Sequence, residues 1–390
     1  MTLKKPDTCR GCPLYRNGFG FSALEGDGSL MVIAESLGRA EEREGLPLRP
    51  HAPSGGVFQR ALDVAGLKRS TMTLTNTIRC KSEAPHPRAA IDHCKQHLDA
   101  AVAQCKPKLL LALGDVPLRE LSLLGGSNSI SEVRGYVLPS RYGIPMIATY
   151  HPSHLARGAF GQLFGVFLHD VRTAYKFARE GIPAKVETHY ILEPTDTDKR
   201  DYLDKIRSDT TLPIAHDVET EDILGVKGPA DWRHKTIIQV QFSSGVGEAI
   251  VVPFPADREF VQAVYATENM KWGFNDRLSD RLALRGVGIT LNGELHDLMN
   301  AYLHLQPGFA SGKDAADDED KGVPARLASL QSCVSFYYPF EGVYKNVMRA
   351  AMNGGIVSMD DIRYGGARDV DFHYRVGVKL FASLRKLGLW

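Results

Sequence analysis

Leu212-Pro-Ile-Ala-His-Asp-Val-Glu219 is the stretch that decides how the C-terminal half folds. Its apolar run ends in Asp217-Val-Glu219. Side chains alternate along a strand, so Asp217 and Glu219 share one face and Val218 takes the other. Downstream, Ile237-Ile-Gln-Val-Gln-Phe242 and Ala249-Ile-Val-Val-Pro253 alternate around a Gly-rich turn, which predicts a meander after that strand. Carboxylates so placed can hold divalent ions that activate water and stabilise a leaving oxygen in phosphodiester hydrolysis. A D-x-E pair alone is more often solvated loop charge, so its company decides.

That company is Lys271-Trp-Gly-Phe-Asn275, then Asp280-Arg281 and Gly288-Ile289. His296-Asp297 with Ala301-Tyr-Leu303 comes next, and Arg368-Asp369-Val-Asp371 continues helically through Tyr374, Val376 and Leu380. In this order the motifs resemble the DEDD 3′→5′ exonucleases, in particular the proofreading domain of family-A DNA polymerases, over residues 187–390. The resemblance implies a ribonuclease-H-like mixed-sheet domain with two Mg²⁺ or Mn²⁺ ions on Asp217, Glu219, Asp280 and Asp369. It also implies a water oriented by Tyr364 and a DNA strand placed by Asn275. Two spacings differ from the family. Four residues, not three, separate Asn275 from Asp280, and Tyr364 stands five residues before Asp369, with Gly365 in the expected fourth place. A local bulge that restores Tyr364 is one expectation. A differently positioned water, or a decayed domain kept for tethering to DNA, are the alternatives.

The N-terminal half makes a separate case. Cys9-Arg-Gly-Cys12 is followed by Cys80 and Cys94, and four cysteines can hold a zinc ion or a 4Fe–4S cluster. Leu30–Ala34, Met72–Thr75, Leu109–Leu113 and Met146–Thr149 read as strands of a parallel sheet. Each leads into polar or Gly-rich residues, and ligands gather at such carboxyl ends. Cys12-Pro-Leu14, Thr75-Asn-Thr-Ile-Arg-Cys80, Pro107-Lys-Leu-Leu-Leu-Ala-Leu-Gly114 and Thr149-Tyr-His-Pro-Ser153 resemble the family 4 uracil-DNA glycosylases, over about residues 5–182. The resemblance implies a three-layer α/β/α domain and a 4Fe–4S cluster on Cys9, Cys12, Cys80 and Cys94. It also implies a flipped base read by Asn76, charge on the departing base stabilised by His151, and Glu35, Leu48 and Ser153 lying against DNA. Here too the chain differs: Ala34-Glu-Ser-Leu-Gly38 replaces a G-E-x-P-G motif, and Pro47-Leu48 replaces Pro-Phe. A DNA-binding domain, or one with an altered base preference, therefore stands beside uracil excision. Cys105 and Cys333 read as ordinary buried thiols.

The chain of 390 residues exceeds the usual single core, and two α/β domains are expected, 1–182 and 187–390. Residues 1–185 carry 24 Lys and Arg against 16 Asp and Glu, and the remainder 23 against 30. A basic first half suits phosphate binding, and an acidic second half suits metal ions. The run Asp314-Ala-Ala-Asp-Asp-Glu-Asp320 reads as a solvated loop without ligand spacing. No run of about 18 apolar residues and no signal-like N-terminus occurs, which predicts a cytoplasmic protein. The sequence ends near the point where a family-A polymerase begins its polymerising domain. A separate family-A polymerase as partner, or a piece of a longer polypeptide, is expected. A glycosylase-like domain ahead of exonuclease and polymerase domains resembles the order in some bacteriophage replicases.

Overall fold

The computed structural model describes residues 4–16, 20–82, 84–124, 129–222, 235–306, 327–343 and 358–390. The acidic run 314–320 lies outside the described residues. The chain divides into two units: Met1–Ala184 with Tyr338–Val343, and Lys185–Tyr337 with Tyr344–Trp390. Residues 338–343 thus group with the first unit, which a single boundary near residue 185 does not anticipate.

The first unit is built on a five-stranded sheet in the order β2-β1-β3-β5-β4. Its strands are β1 (Leu30–Ala34), β2 (Met72–Asn76), β3 (Leu109–Leu113), β4 (Val137–Pro139) and β5 (Pro145–Thr149). The first three and β5 run parallel, and β4 closes one edge as an antiparallel partner of β5. Every residue of β1, β2 and β3 is buried, as expected where helices cover both faces of a parallel sheet. Helices Pro53–Ala65, Arg88–Cys105 and Phe160–Glu180 belong to this unit. The four parallel strands stand where the apolar runs predicted them. The short β4 carries no comparable run.

The second unit holds a mixed six-stranded sheet in the order β11-β10-β7-β8-β9-β6. These are β6 (His189–Ile191), β7 (Ile214–Asp222), β8 (Lys235–Ser243), β9 (Glu248–Pro253), β10 (Lys271–Gly273) and β11 (Leu295–Asp297). The predicted meander is β7-β8-β9, antiparallel throughout. Alternation splits the sheet cleanly. Ile214, Val218, Val240, Phe242 and Val252 pack with helices Asp196–Ser208 and Arg258–Tyr265 in one core. On the opposite face, Ala249 and Val251 pack against Ala367 and Val370 of the long helix Met359–Lys386. Asp217 and Glu219, out of step with Val218, are therefore turned toward that helix. Among the described residues, no helix is long and apolar enough to cross a membrane.

Candidate functional site

Three chemical centres emerge, each assembled within one unit. The first lies at the carboxyl ends of the parallel sheet. Ala34 and Asn76 are register partners in β1 and β2, as are Leu113 and Thr149 in β3 and β5. Glu35, Gly114 and His151 follow just beyond these ends. Gly114 has φ +93°, and a Cβ there would stand 2.9 Å from the Cβ of His151, so glycine alone lets the histidine approach. The Nδ1 of His151 accepts from the Ser153 backbone N–H at 3.2 Å and pairs with its hydroxyl at 2.7 Å. In the neutral ring, the proton therefore sits on Nε2. Burial pushes His151 down to about 4, against the opposing pull of Glu35, and the ring is neutral at pH 7.

Glu35 accepts from the Nε2 of His86 at 2.5 Å, and the Nδ1 of His86 lies 2.9 Å from the Ser82 hydroxyl. That hydrogen bond, helped by the charge of Arg157 and opposed by burial, holds Glu35 below the usual carboxylate range. Asn76 is 1 % exposed, and its Nδ2 has no hydrogen-bond partner. A buried amide donor left unmade costs about 1–3 kcal/mol unless a ligand satisfies it. Leu48 is buried with φ +50°, a backbone region that bulky residues rarely adopt. Arg69 holds this turn through the carbonyls of Pro47 and Leu48 while paired with Glu25.

Two expected results follow. Gly114→Ala combines an unfavourable φ with the clash at His151, and should cost about 1–3 kcal/mol, read as a lower chemical-denaturation midpoint. A histidine whose pKa falls on folding contributes stability that is complete above its unfolded value of 6.5 and is lost as pH falls toward about 4. Melting temperatures of the parent chain should thus drop more steeply between those limits than those of His151→Asn. Parallel curves would show that His151 does not titrate as assigned.

The second centre is the set of cysteines. Cys9 and Cys12 come from an N-terminal turn, Cys80 from the segment after β2, and Cys94 from helix Arg88–Cys105. All four line one small pocket, together with Arg79. Burial, with the neighbouring thiols adding, pushes Cys9 up to about 11 and raises Cys94; burial pushes Cys80 up to about 12. The Sγ of Cys9 also lies 3.3 Å from the Nε2 of His97. Cys105 is half-buried at the end of its helix, and Cys333 is buried in the other unit, so neither joins the pocket.

The third centre is acidic. One ligand oxygen each from Asp217, Glu219 and Asp369 lies within 4.8 Å of the others. Asp280 begins helix Asp280–Gly286 and hydrogen-bonds to Asp217. Burial first, then the charge of Asp217, pushes Asp280 well above the usual carboxylate range. Gln241 donates from Nε2 to the Oδ2 of Asp217 at 2.9 Å. Carboxylates gathered in this way are a natural seat for hard cations with oxygen ligands.

The extra residue between Asn275 and Asp280 is taken up in a 3₁₀ turn, Asp276–Leu278. Asp276 is fully buried beside His216 at 3.1 Å and Arg281 at 2.6 Å, which leaves Asp280 to face Asp217. Burial tends to raise Asp276, but these two partners outweigh it and hold its pKa low. Asn275 is exposed in the left-handed region, and its backbone N–H donates to the Oδ1 of Asp297 at 3.0 Å.

Tyr364 is a correction. Helix Met359–Lys386 is unbroken α-helix, with no bulge to bring the ring round. Five residues of helix turn a side chain about 140° from Asp369, and seven return it to the face of Asp371. The Tyr364 ring is accordingly 47 % exposed and packs near Tyr190, which itself donates to Asp371 at 2.7 Å. His373, not singled out from sequence, is one turn after Asp369 and shares its face. It is buried, its Nδ1–H donates to the carbonyl of His216 at 3.0 Å, and its ring stacks near Phe274. Burial holds its pKa down, while the nearby Asp217 and Asp369 pull it up. An i, i+4 spacing from Asp369 was the available signal. His86, between Pro85 and Pro87, offered none.

Comparison with known proteins supports the first unit. Residues 21–172 match the family model of the uracil DNA glycosylase superfamily, and this region is a domain of that superfamily. The chain is 28% identical over 179 residues to the type-4 uracil-DNA glycosylase of Thermotoga maritima, covering 44% of this chain and 90% of that protein. Solved structures similar to this chain include one described as the apo form of a nuclease. It is 17% identical and covers 53% of this chain and 85% of its own, with a TM-score of 0.34. Another, Brucella melitensis NrnC, is 18% identical over 46% of this chain and 76% of its own, also at 0.34. Likenesses that distant carry no argument about this chain.

Proposed function

We propose that this chain, whose residues 21–172 are a uracil DNA glycosylase superfamily domain, also carries a metal-dependent 3′→5′ DNA exonuclease site in its second unit. The observation that carries the proposal is the convergence of Asp217, Glu219 and Asp369 within 4.8 Å, with Asp280 hydrogen-bonded to Asp217. Two Mg²⁺ or Mn²⁺ ions at these carboxylates supply the Lewis acidity that phosphodiester hydrolysis needs. Gln241 orients Asp217 from the neighbouring strand. His373, with Nδ1 committed to a carbonyl, keeps Nε2 unprotonated near Asp217 and Asp369. It is placed to take the proton of an attacking water, the task that Tyr364 is turned away from. Asn275, exposed at the mouth of the same loop, is available to a DNA strand. A family-A DNA polymerase is the partner that the motif resemblance implies. The test is a 5′-labelled single strand: a ladder shortening from the 3′ end in Mg²⁺ and absent in EDTA is expected. An intact strand in Mg²⁺ contradicts the proposal.

A second activity has its own observation. The orphaned, buried amide of Asn76 stands at the same strand ends as Glu35 and a neutral His151, where a flipped base would find a donor. An aliphatic Leu48 covers that base in place of an aromatic ring. Abasic sites formed in EDTA from uracil-containing DNA are the expected product, because base release needs no divalent ion. The four thiols fit a 4Fe–4S cluster better than zinc. A tetrahedral zinc with Zn–S of about 2.3 Å draws its sulfurs to roughly 3.8 Å of one another. Among the described residues, the set within 4.8 Å is the acidic one and not the cysteines.

A further inference from the structure

The sheet face that carries the acids has a second feature. A cavity of about 650 Å³, open mouth included, lies between β8, β9 and the first turns of helix Met359–Lys386. Ile238, Val251 and Pro253 give it apolar walls, and Gln239 lines it. Gln239 pairs across the strands with Glu219 and is 2 % exposed. Its Nε2 stands 3.4 Å from two acceptors, the Oε1 of Gln241 and the carbonyl of Ile362, which fixes the direction of the amide. The Oε1 is left buried with no partner. Gly366 is what admits both amides, since a Cβ there would stand 2.9 Å from the Nε2 of Gln239 and 2.7 Å from that of Gln241.

The charges lining the cavity are already matched. Arg363 bonds Glu193 at 2.5 Å and Asp360 at 3.2 Å, and Asp257 bonds Lys199 at 2.7 Å. A phosphate would therefore meet an arginine already committed to two carboxylates. A cavity with apolar walls, paired charges and one buried acceptor suits a neutral ring that presents an N–H edge. We propose that this cavity binds a nucleobase with an exocyclic amine, its sugar and phosphate outside, and the Oε1 of Gln239 accepting from the amine. The choice of nucleobase over other planar donors rests on the exonuclease reading. The amide chain runs on from Gln239 through Gln241 to Asp217, so the occupant and a metal-holding acid share one hydrogen-bonded row.

The test is calorimetric titration of the full chain in EDTA with deoxyadenosine and, separately, with a short oligo(dA). Saturable binding of either is expected: the nucleoside identifies a free ligand, and the oligonucleotide alone identifies a base within a strand. Gln239→Leu keeps the side-chain volume and removes the orphan acceptor together with the two long amide bonds at 3.4 Å, so its fold is checked by circular dichroism before titration. It should bind about tenfold more weakly, the loss of one buried hydrogen bond. Met359→Trp, which fills the mouth from a half-exposed position, should weaken binding as much. Unchanged affinity in Gln239→Leu, or no binding of either ligand by the parent chain, overturns the inference. Binding without a Mg²⁺-dependent ladder leaves the pocket standing and removes the exonuclease. A ladder without binding does the reverse.

Discussion

Replacing Asp217 and Glu219 together with alanine is expected to lower Mg²⁺-dependent trimming of a 5′-labelled strand by at least about 10²–10³-fold, the scale on which preorganised transition-state charge stabilisation acts. The two carboxylates are consecutive same-face residues of β7, and with Asp369 they present oxygens within 4.8 Å. Removing both leaves Asp369 and Asp280 without the geometry to hold two ions. The fold should survive, because neither side chain belongs to the apolar core formed by Ile214, Val218 and Val240. The double variant should even melt higher in EDTA, since the crowding of Asp217 against the buried Asp280 is relieved. His373→Gln is the companion test. It should lower turnover while leaving Mn²⁺ affinity close to the parent, whereas a purely structural role would lower both. Full trimming by the double variant would assign the nuclease activity elsewhere.

The second large effect concerns the cysteines. Cys80→Ser and Cys94→Ser are each expected to remove bound iron and the broad absorbance near roughly 400 nm of a thiolate-held cluster. Each should also lower the melting temperature of the first unit by about 10 °C or more, because metal-site binding energy is folding energy. The four residues come from three separate pieces of chain, so a centre bound in the pocket ties those pieces together. Without a bound centre the thiols stay protonated, as burial dictates for Cys9 and Cys80. Cys105→Ser, at a half-buried position outside the pocket, should keep its iron. Metal analysis that finds one zinc and no iron in the parent chain would reverse the assignment.

Much of the fold is legible because burial imposes simple patterns. Strands β1, β3 and β5 are buried on both faces, so they read as apolar runs, whereas the equally buried β2 also carries Thr73, Thr75 and Asn76. Strands β7 to β9 have one apolar and one polar face, so they alternate, and the alternation places Asp217 with Glu219. The cysteines are legible as a set because the chemistry needs that residue type. The long helix is legible from Val370, Val376 and Leu380, but the role of Tyr364 is not, because one residue of helix is about 100° of rotation. Spacing to Asp369 alone cannot distinguish a bulge from a continuous helix. Asp276 shows the same limit: two aspartates follow Asn275 closely, and only the 3₁₀ turn decides which one reaches Asp217. His86 is silent in the sequence for another reason. Its link to Glu35 spans 51 positions and depends on how a proline-flanked loop returns over the sheet. The edge strand β4 and the grouping of Tyr338–Val343 with the first unit are tertiary outcomes of the same kind.

The most direct measurement of the central claim is Mn²⁺ binding to the purified chain, followed by electron paramagnetic resonance and calorimetry. The account predicts two saturable sites per chain in the micromolar to millimolar range. Both should be lost in Asp217→Ala/Glu219→Ala, and both should compete with Mg²⁺. No saturable binding, or binding that survives the double substitution unchanged, would contradict it.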